Sequence, residues 1–526
     1  MSSIGRASAL LGAGTIVSRL TGFLRTIVLV AAIGSTSAAG NAFAIANQLP
    51  NNIYAIISTG ILTAVIVPQI VRSAAHPDGG NAFVSKLLTL GTIVLLGATA
   101  LALLFAPQLI GLYGARFSAE QRTLGTAFAY WCLPQIFFYG VYSLFGETLN
   151  ARKVFGPFTW APIVNNIVSI AGFGVFMLVF GAQPTTWTPT MVAVLGGTAT
   201  LGIAVQAGIL MLFWRRAGLH IRPDFHWRGV GLRDIGRLAG WTFLMVLAGQ
   251  LAGIVQTRVL PPEGSPGAFA TANAWLLFML PYSIIVLSIG TPYFTRLSEH
   301  AAADRDDAVR SDIGQSIRTL GVFIVIATAA LAVAAVPASR IFTGSAAQAV
   351  QAAPVLWCYL VGLIPLAVLF VIQRTFYAYH DTRTPFFFTL LQCTLVVGTA
   401  LVAAAVLPDA LLAAGVALGQ SVSSLVQVIV ATWLLHRRLG GIGTAVWIGA
   451  LARFAAAAIP AAVVGWLAYV LLGGATGWMT RGQLFGALGA AVIGIVCLIV
   501  YVGMLALLRA PELAPAMGIA RRLIRR

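Results

Sequence analysis

The sequence predicts an all-α polytopic membrane protein with about fourteen transmembrane helices. Three observations predict it. Apolar residues make up 59% of the 526 residues while charged residues make up only 9%, the mean hydropathy is +0.92, and apolar runs of about 20 residues, enough to cross a bilayer, recur from end to end. A soluble domain carries roughly 25% charged residues. Because lipid offers the backbone no hydrogen-bond partners, each run is expected to be helical.

The apolar runs define fourteen predicted helices, and each is a near-continuous apolar stretch without the alternating pattern of a membrane β-barrel. They cover residues 8–34, 42–72, 84–106, 124–150, 157–181, 190–214, 236–259, 268–296, 314–336, 350–378, 384–407, 411–435, 444–472 and 483–508.

The basic residues predict the orientation of these helices. With the N-terminus inside, 24 Lys and Arg residues fall in the inside segments and 5 in the outside segments. Cytoplasmic loops carry such an excess in membrane proteins. The remaining three, Arg19, Arg25 and Arg453, lie within predicted helices. Both termini are therefore expected in the cytoplasm, and the regular alternation supports the helix count.

Charge and cysteine usage exclude several function classes. A net charge of +18 would indicate nucleic acid binding in a soluble protein, but here cytoplasmic loop charge accounts for it. The four cysteines form neither a CxxC pair nor a Cys/His cluster, so no zinc site or disulfide framework is indicated. The sequence also lacks a P-loop, a nucleophile elbow, an HExxH motif and a paired-carboxylate motif. We expect a transporter rather than an enzyme, with no cofactor, metal or nucleic acid partner.

The first helix carries the most informative residues. Arg19 and Arg25 lie in an otherwise apolar helix, where one arginine costs about 2.5–3.5 kcal/mol on insertion scales. On an ideal helix the two residues point about 120° apart. Gly22 between them could loosen the helix and let both face one cavity. The arginine fork suits phosphate oxygens; the alternative is that either side chain snorkels to the interface.

Further polar residues lie where lipid would reject them. Glu147 is expected to form an internal ion pair with Arg152 or Lys153. Asn41 begins a polar group at the start of the second helix, which either lines a wet cavity or caps helix ends. Arg258 ends the seventh helix and is interpreted as an interface anchor.

Four more residues have structural interpretations. Asn165 and Asn166 are expected to hydrogen-bond across helices. Arg453 is expected to snorkel. Asp381 is read as a loop or capping residue, with ion coupling as the alternative.

Two segments hint at an internal repeat. Residues 146–166 and 373–392 each carry an amide or acid in a helix, a short basic loop, and then Pro with aromatic residues. Six helices separate them, which predicts two six-helix halves in the same orientation followed by two additional helices. Repeats of this kind are typical of transporters that rock one half against the other.

Several motifs together resemble those of one family. The motifs are "SRLTGFLR" (18–25), "GNAFAIANQLPNNIY" (40–54), "GETLNARKVFGPFTWAPIVNN" (146–166) and "RTFYAYHDTRTP" (374–385). They resemble the MurJ (MviN) family of lipid II flippases, within the superfamily of multidrug, oligosaccharidyl-lipid and polysaccharide exporters. The resemblance extends along essentially the whole chain.

The resemblance implies an architecture. It divides the chain into an N-terminal lobe of six helices (1–215), a C-terminal lobe of six helices (216–440), two helices forming a lipid groove (441–508) and a basic cytoplasmic tail (509–526). The lobes would surround a central cationic cavity in the bacterial plasma membrane.

The resemblance also implies a function in peptidoglycan biosynthesis and cell shape. The chain would move lipid II, the undecaprenyl-pyrophosphate-linked precursor, from the inner to the outer leaflet by alternating access. Lipid II and membrane lipids would be its partners, and the cell-wall synthesis machinery is a candidate partner. Arg19 and Arg25 match family arginines expected to hold the pyrophosphate. The predicted substrate-binding residues are Ser18, Arg19, Arg25, Asn41, Glu147 and Arg258.

The chain departs from the family pattern at several positions. Asn41 stands where many members have Asp, and Thr59 where members often have Glu. The family's cavity arginines in the second and eighth helices are absent, and Arg258 would compensate. An exporter of another lipid-linked glycan or of a drug therefore remains an alternative. A membrane glycosyltransferase would need an outward carboxylate, and the short outside loops hold only Glu120, Glu263 and Asp409.

Overall fold

The computed structural model describes residues 3–58, 81–152, 154, 156–214, 222–225, 232–514 and 518, and the described residues contain no β-strand. They divide into two compact units, Met1–Arg258 and Val259–Arg526. The predicted lobe boundary at residue 215 is a different division and stays a prediction.

Nine α-helices are described in the first unit. In chain order they are α1 (Ser3–Ile33), α2 (Ala38–Ile57), α3 (Asn81–Leu104), α4 (Ala106–Tyr113), α5 (Ala119–Cys132), α6 (Gln135–Ala151), α7 (Gly156–Phe180), α8 (Pro189–Met211) and α9 (Leu232–Val259).

The second unit contributes ten described α-helices. They are α10 (Ala268–Pro281), α11 (Leu287–Ala302), α12 (Asp306–Val333), α13 (Ala335–Arg340), α14 (Ala346–Leu360), α15 (Leu363–Ala378), α16 (Arg383–Val406), α17 (Asp409–Leu439), α18 (Thr444–Leu471) and α19 (Gln483–Leu507).

The predicted fold class is confirmed. Each of the fourteen predicted segments coincides with a described helix or helix pair, although the second is described only as far as residue 58. Within the described part of the chain, eleven helical segments are long and apolar enough to cross a membrane.

Three predicted single helices are interrupted. The fourth bends at Pro134 between α5 and α6, and the eighth contains a π-helical turn, Tyr282–Val286, between α10 and α11. The tenth breaks at Gly362, where a Cβ would lie 2.9 Å from Ser421 Oγ. That hydroxyl donates to the carbonyls of residues 358 and 359, at 2.7 and 3.1 Å, and so satisfies backbone acceptors at the break.

The ninth helix begins eight residues before its predicted start, because its first turns bury side chains. Asp306 and Asp307 lie in the first turn of α12, where carboxylates complement the helix dipole. Asp312, two turns further, is buried and pairs with Arg296 and His300 of α11. The polar start of α12 therefore contributes a contact between α11 and α12.

In the first unit, α7 packs against both α1 and α8, while α2 packs against α5 and α3 against α6. Small residues permit the close approach of α1 and α7. A Cβ on Gly14 would lie 2.9 Å from Thr159 Cγ2 and 3.0 Å from Trp160 Nε1. Replacing this glycine would push α1 away from its neighbour.

In the second unit, the last two long helices pack on α12. Tyr501 of α19 is buried and donates to the carbonyl of Val322 at 3.0 Å. Arg453 of α18 places Nη2 3.1 and 3.0 Å from the two oxygens of Glu512. This contact joins the segment after α19 to α18, and the snorkelling of Arg453 stays a prediction.

Candidate functional site

The first helix is continuous through Arg19 and Arg25. α1 runs from Ser3 to Ile33 without a break, so the predicted loosening at Gly22 was wrong. A Cβ on Gly22 would meet Asn166 Nδ2 of α7 at 3.4 Å. That amide donates to Ser18 O at 3.1 Å and to Thr21 Oγ1 at 3.0 Å. The prediction that Asn166 bonds across helices is confirmed, and Gly22 marks a helix contact.

Arg19 and Arg25 of α1 have different surroundings. Arg19 is exposed, as are its neighbours Leu20 and Leu24. Arg25 is half-buried and lies on the stripe of α1 that also carries Ser18, since seven residues complete nearly two helical turns. Asn166 contacts α1 along this same stripe. Arg25 therefore points into the first unit, while Arg19 points away from it.

Arg25 has one described partner on α6. It interacts electrostatically with Tyr139, whose ring stacks on Tyr54 of α2 with centroids 5.8 Å apart. Tyr54 hydrogen-bonds the side chain of Ser143 and interacts electrostatically with Glu147. We call these five residues, Arg25, Tyr54, Tyr139, Ser143 and Glu147, the polar stripe.

Glu147 has one described partner. Its carboxylate accepts a hydrogen bond from the side chain of Asn150. Among the described residues, no ion pair joins it to Arg152, and Lys153 lies outside the described residues. The predicted ion pair is therefore not formed with Arg152, and its alternative with Lys153 stays a prediction. Glu147 ends the polar stripe, two turns of α6 beyond Tyr139.

The described carboxylates do not neutralise the arginines of α1. The described carboxylate side chains of the first unit belong to Glu120, Glu147 and Asp224. Asp224 lies 4.0 Å from Lys86. In the described part of this unit, no hydrogen bond or ion pair joins a carboxylate to Arg19 or Arg25. Their charge is thus available to an anionic ligand.

The polar residues of α2 hold helices together. Asn47 accepts a hydrogen bond from Gln135 Nε2 at 3.1 Å, and Asn52 donates to Tyr113 OH at 3.2 Å. Asn41 is fully buried in the first turn of α2. It lies about 20 Å along the helix axis from Tyr54, so the structure does not bring it to the polar stripe.

Arg258 is exposed at the end of α9. No described hydrogen bond, ion pair or ring contact joins it to the polar stripe. Both its role as an interface anchor and its role in substrate binding stay predictions.

Three residues of the polar stripe, Tyr54, Tyr139 and Ser143, were missed by sequence reasoning, whereas Arg25 and Glu147 were predicted. Tyr139 and Ser143 precede Glu147 at a spacing of four, which places all three on one face of α6. This spacing was the available signal. The contribution of Tyr54 could not be read in the same way, because it depends on how α2 packs against α6.

The polar stripe can bind an anion but cannot perform bond chemistry by a recognised mechanism. It offers guanidinium and hydroxyl donors with a carboxylate at the far end, and it lacks a nucleophile–base pair. No group of His, Cys, Asp or Glu residues suited to a metal ion occurs among the described residues.

Comparisons with known sequences agree on one family. The family model described as "Lipid II flippase MurJ" matches residues 29–485. A "Probable lipid II flippase MurJ" from Synechocystis is 24% identical over 97% of this chain and 96% of its own length. Another from Buchnera aphidicola is 28% identical over 54% of this chain, and the aligned region spans 55% of that relative.

Solved structures share the fold. The structure titled "Lipid II flippase MurJ, inward closed conformation" has a TM-score of 0.72 and 18% identity, covering 95% of this chain and 99% of that one. An inward-facing multidrug transporter of the same superfamily has a TM-score of 0.64 and 16% identity, covering 80% and 94%. At these identities the likeness concerns the fold alone.

Proposed function

Because this chain belongs to the lipid II flippase MurJ family, whose model matches residues 29–485, we propose that it moves lipid II across the membrane. The cargo would pass from the inner to the outer leaflet by alternating access, with its headgroup site open first to one side and then to the other. The family is one of transporters rather than enzymes. The chain is accordingly a multi-pass protein of the bacterial inner membrane.

One observation carries the proposal at the level of residues. Arg25 is half-buried, interacts electrostatically with Tyr139, and has no carboxylate partner among the described residues. An uncompensated guanidinium within a membrane helix is costly, so its retention indicates a ligand that supplies the opposite charge. A pyrophosphate matches both its charge and its paired donors.

The remaining predicted residues take supporting roles in this proposal. The exposed Arg19 would meet the headgroup before Arg25 does, and the carbonyl of Ser18 fixes the α1 backbone through Asn166. Glu147 would repel a misplaced pyrophosphate at the far end of the polar stripe. Asn41 and Arg258 lie apart from the stripe and would act on other parts of the lipid.

The proposal includes an orientation and a possible energy source. The excess of basic residues in the inside segments supports cytoplasmic termini. Moving one charge across 100 mV is worth about 2.3 kcal/mol, so the membrane potential can bias transport of an anionic lipid. Contact with the cell-wall synthesis machinery remains part of the proposal. Another lipid-linked glycan is not favoured, because the matching family model is the lipid II one.

A complementation experiment tests the proposal. The wild-type chain should restore growth in bacteria depleted of their own lipid II flippase and should clear lipid II from the inner leaflet. Arg25→Ala should abolish growth while leaving the amount of membrane-inserted protein normal, because it removes ligand charge rather than a packing contact.

Arg122→Ala is the matched control, since Arg122 is an exposed arginine of the same unit whose guanidinium donates to the carbonyl of Ala115. It should complement fully. Normal growth with Arg25→Ala would contradict the pyrophosphate role. Failure of the wild-type chain, with inserted protein present, would contradict lipid II as cargo.

A further inference from the structure

Several arginines of the second unit have protein acceptors. Their partners are carboxylates or backbone carbonyls: Arg296 with Asp312, Arg310 with Asp307, Arg318 and Arg453 with Glu512, Arg438 with Asp381, and Arg340 with the carbonyls of Thr480 and Thr343. These contacts satisfy the guanidinium donors within the protein, and so indicate structural roles.

Arg374 of α15 is the half-buried exception. Its guanidinium carbon lies 5.0 Å from the ring centroid of Phe294 and 5.3 Å from that of Phe370. It interacts electrostatically with Tyr282 and Tyr377. It makes no hydrogen bond or ion pair with any residue that the structure describes.

Ring stacking leaves the donors of this arginine unused. Aromatic rings stack on the faces of a guanidinium, whereas its five N–H bonds point outward in the guanidinium plane. The hydroxyl of Tyr377 accepts a hydrogen bond from Gln373 Nε2 at 2.9 Å, and no described hydrogen bond joins it to Arg374. The unused donors form a planar fork of the kind that binds oxyanions in pairs.

The surrounding backbone fixes the rings around Arg374. A Cβ on Gly290 would lie 2.4 Å from Phe370 Cε1, so the glycine lets α11 approach that ring. The π-helical turn Tyr282–Val286 precedes α11 and turns Tyr282 toward Phe370, with ring centroids 6.5 Å apart. π-turns inside helices occur frequently at functional sites.

The depth of Arg374 suits a phosphate group. It lies four residues before the end of α15, which is about 6 Å along the helix axis. This is the level at which long basic side chains reach lipid headgroups. Nearby, Asp381 is already occupied by Arg438 at 2.7 Å and by Thr384, so the nearest loop carboxylate does not serve Arg374.

We propose that Arg374 is the donor of a second anion-binding site. Its guanidinium lies against the rings of Phe294 and Phe370 and binds a phosphate group through its outward N–H bonds. The phosphate could come from a polyprenyl pyrophosphate, an anionic phospholipid or free pyrophosphate, and the chemistry of recognition is the same for all three. The inference does not depend on lipid II being the cargo.

Binding measurements on the full chain test this site. The protein is purified in phosphatidylcholine nanodiscs and titrated with undecaprenyl pyrophosphate, dioleoylphosphatidylglycerol or inorganic pyrophosphate, with native mass spectrometry as the readout. Arg374→Gln should weaken binding of at least one probe about tenfold, equivalent to about 1.4 kcal/mol. An effect on the polyprenyl probe alone identifies the cargo; an effect on phosphatidylglycerol alone identifies a resident lipid. An effect on all three shows that the phosphate group suffices.

Arg437→Gln is the matched control, because Arg437 also stacks on an aromatic ring, that of Trp433 at 4.1 Å, but is exposed. It should bind every probe as the wild type does. If folded Arg374→Gln protein also binds all three probes normally, Arg374 is a packing residue and the proposal is overturned. Should this variant fail to accumulate, Arg374→Lys replaces it; about threefold weaker binding is expected because the fork is lost, and unchanged binding overturns the proposal.

Discussion

The two units hold the same number of basic residues but use them differently. Each of Met1–Arg258 and Val259–Arg526 carries sixteen Lys and Arg residues, against five acidic residues in the first and nine in the second. In the second unit, carboxylates such as Asp312 and Glu512 pair with arginines that belong to other elements of the chain. In the first unit, Arg25 faces a tyrosine instead.

This difference separates structural arginines from ligand-binding ones. An arginine paired with a carboxylate has its charge satisfied in every state in which the two helices stay together. Arg25 and Arg374 have ring and hydroxyl neighbours, which orient a guanidinium without neutralising it. Substitutions of paired residues should therefore lower stability, and substitutions of Arg25 and Arg374 should lower binding or transport at normal stability.

The largest stability effect is expected at Asp312. Its carboxylate side chain is 4% exposed and contacts both Arg296 and His300 Nδ1, the latter at 2.8 Å. Asp312→Ala removes the carboxylate that both side chains contact and opens space between α11 and α12. We expect a loss of about 2–4 kcal/mol in the free energy of unfolding, measured as lower resistance to denaturation in detergent and a reduced amount of protein in the membrane.

Asp307→Ala provides the control on the same helix. Asp307 pairs with Arg310 at 3.0 Å, but its side chain is 97% exposed, and exposed pairs contribute about 0–1 kcal/mol. Equal losses of stability in Asp312→Ala and Asp307→Ala would contradict the claim that burial makes the Asp312 contacts more stabilising. If Asp312→Ala were stable but inactive in transport, the claim that carboxylate-paired residues serve stability rather than ligand binding would be contradicted.

A smaller effect is expected at Glu512, which fastens the segment after α19 to two helices. It contacts Arg453 of α18 at 3.0 Å and Arg318 of α12 at 3.9 Å. Both arginines are about one-third exposed, so water weakens the contact. Glu512→Ala should lower stability by about 1 kcal/mol and speed hydrogen exchange in residues 509–514, measured by mass spectrometry.

Glu299→Ala serves as the comparison, because Glu299 is an exposed carboxylate of α11. It should leave exchange in 509–514 unchanged. If Glu512→Ala also leaves that exchange unchanged, the ion pairs do not hold the segment, and the apolar contacts of Leu513 with the core suffice.

The sequence predicts the helices of this protein better than the partners of its arginines. A run of about 20 apolar residues is a local signal, and lipid leaves the backbone few alternatives to a helix. The π-turn at Tyr282–Val286 and the break at Gly362 depend on neighbouring helices, and no local pattern shows them. The partner of Arg453 lies 59 residues away along the chain, so sequence reasoning assigned that side chain to the interface.

The candidate site shows the same limit. Arg25 stands out in the sequence, because an arginine in an apolar run is anomalous wherever the helix packs. The spacing of Tyr139 and Ser143 shows that they share a face of α6, but their interactions with Arg25 and Tyr54 depend on the packing of the helices. Asp381 was correctly read as a capping residue, since its carboxylate accepts from Thr384 N at 3.0 Å within three residues. The sequence thus predicts a local hydrogen bond with its partner, whereas for the interhelical bonds of Asn166 it predicts the donor but not the acceptors on α1.

The smallest effect is expected where α1 is held without charge. Asn166 Nδ2 donates to Ser18 O and to Thr21 Oγ1, and such hydrogen bonds between membrane helices contribute about 0.6 kcal/mol on average. A double-mutant cycle with Asn166→Ala and Thr21→Ala should give a coupling free energy near this value, measured by denaturation in detergent. Transport should fall only modestly, since Arg25 lies one turn beyond the contact on an uninterrupted helix. A loss of transport as complete as that of Arg25→Ala would mean that the position of α1, rather than the charge on it, limits function in the first unit.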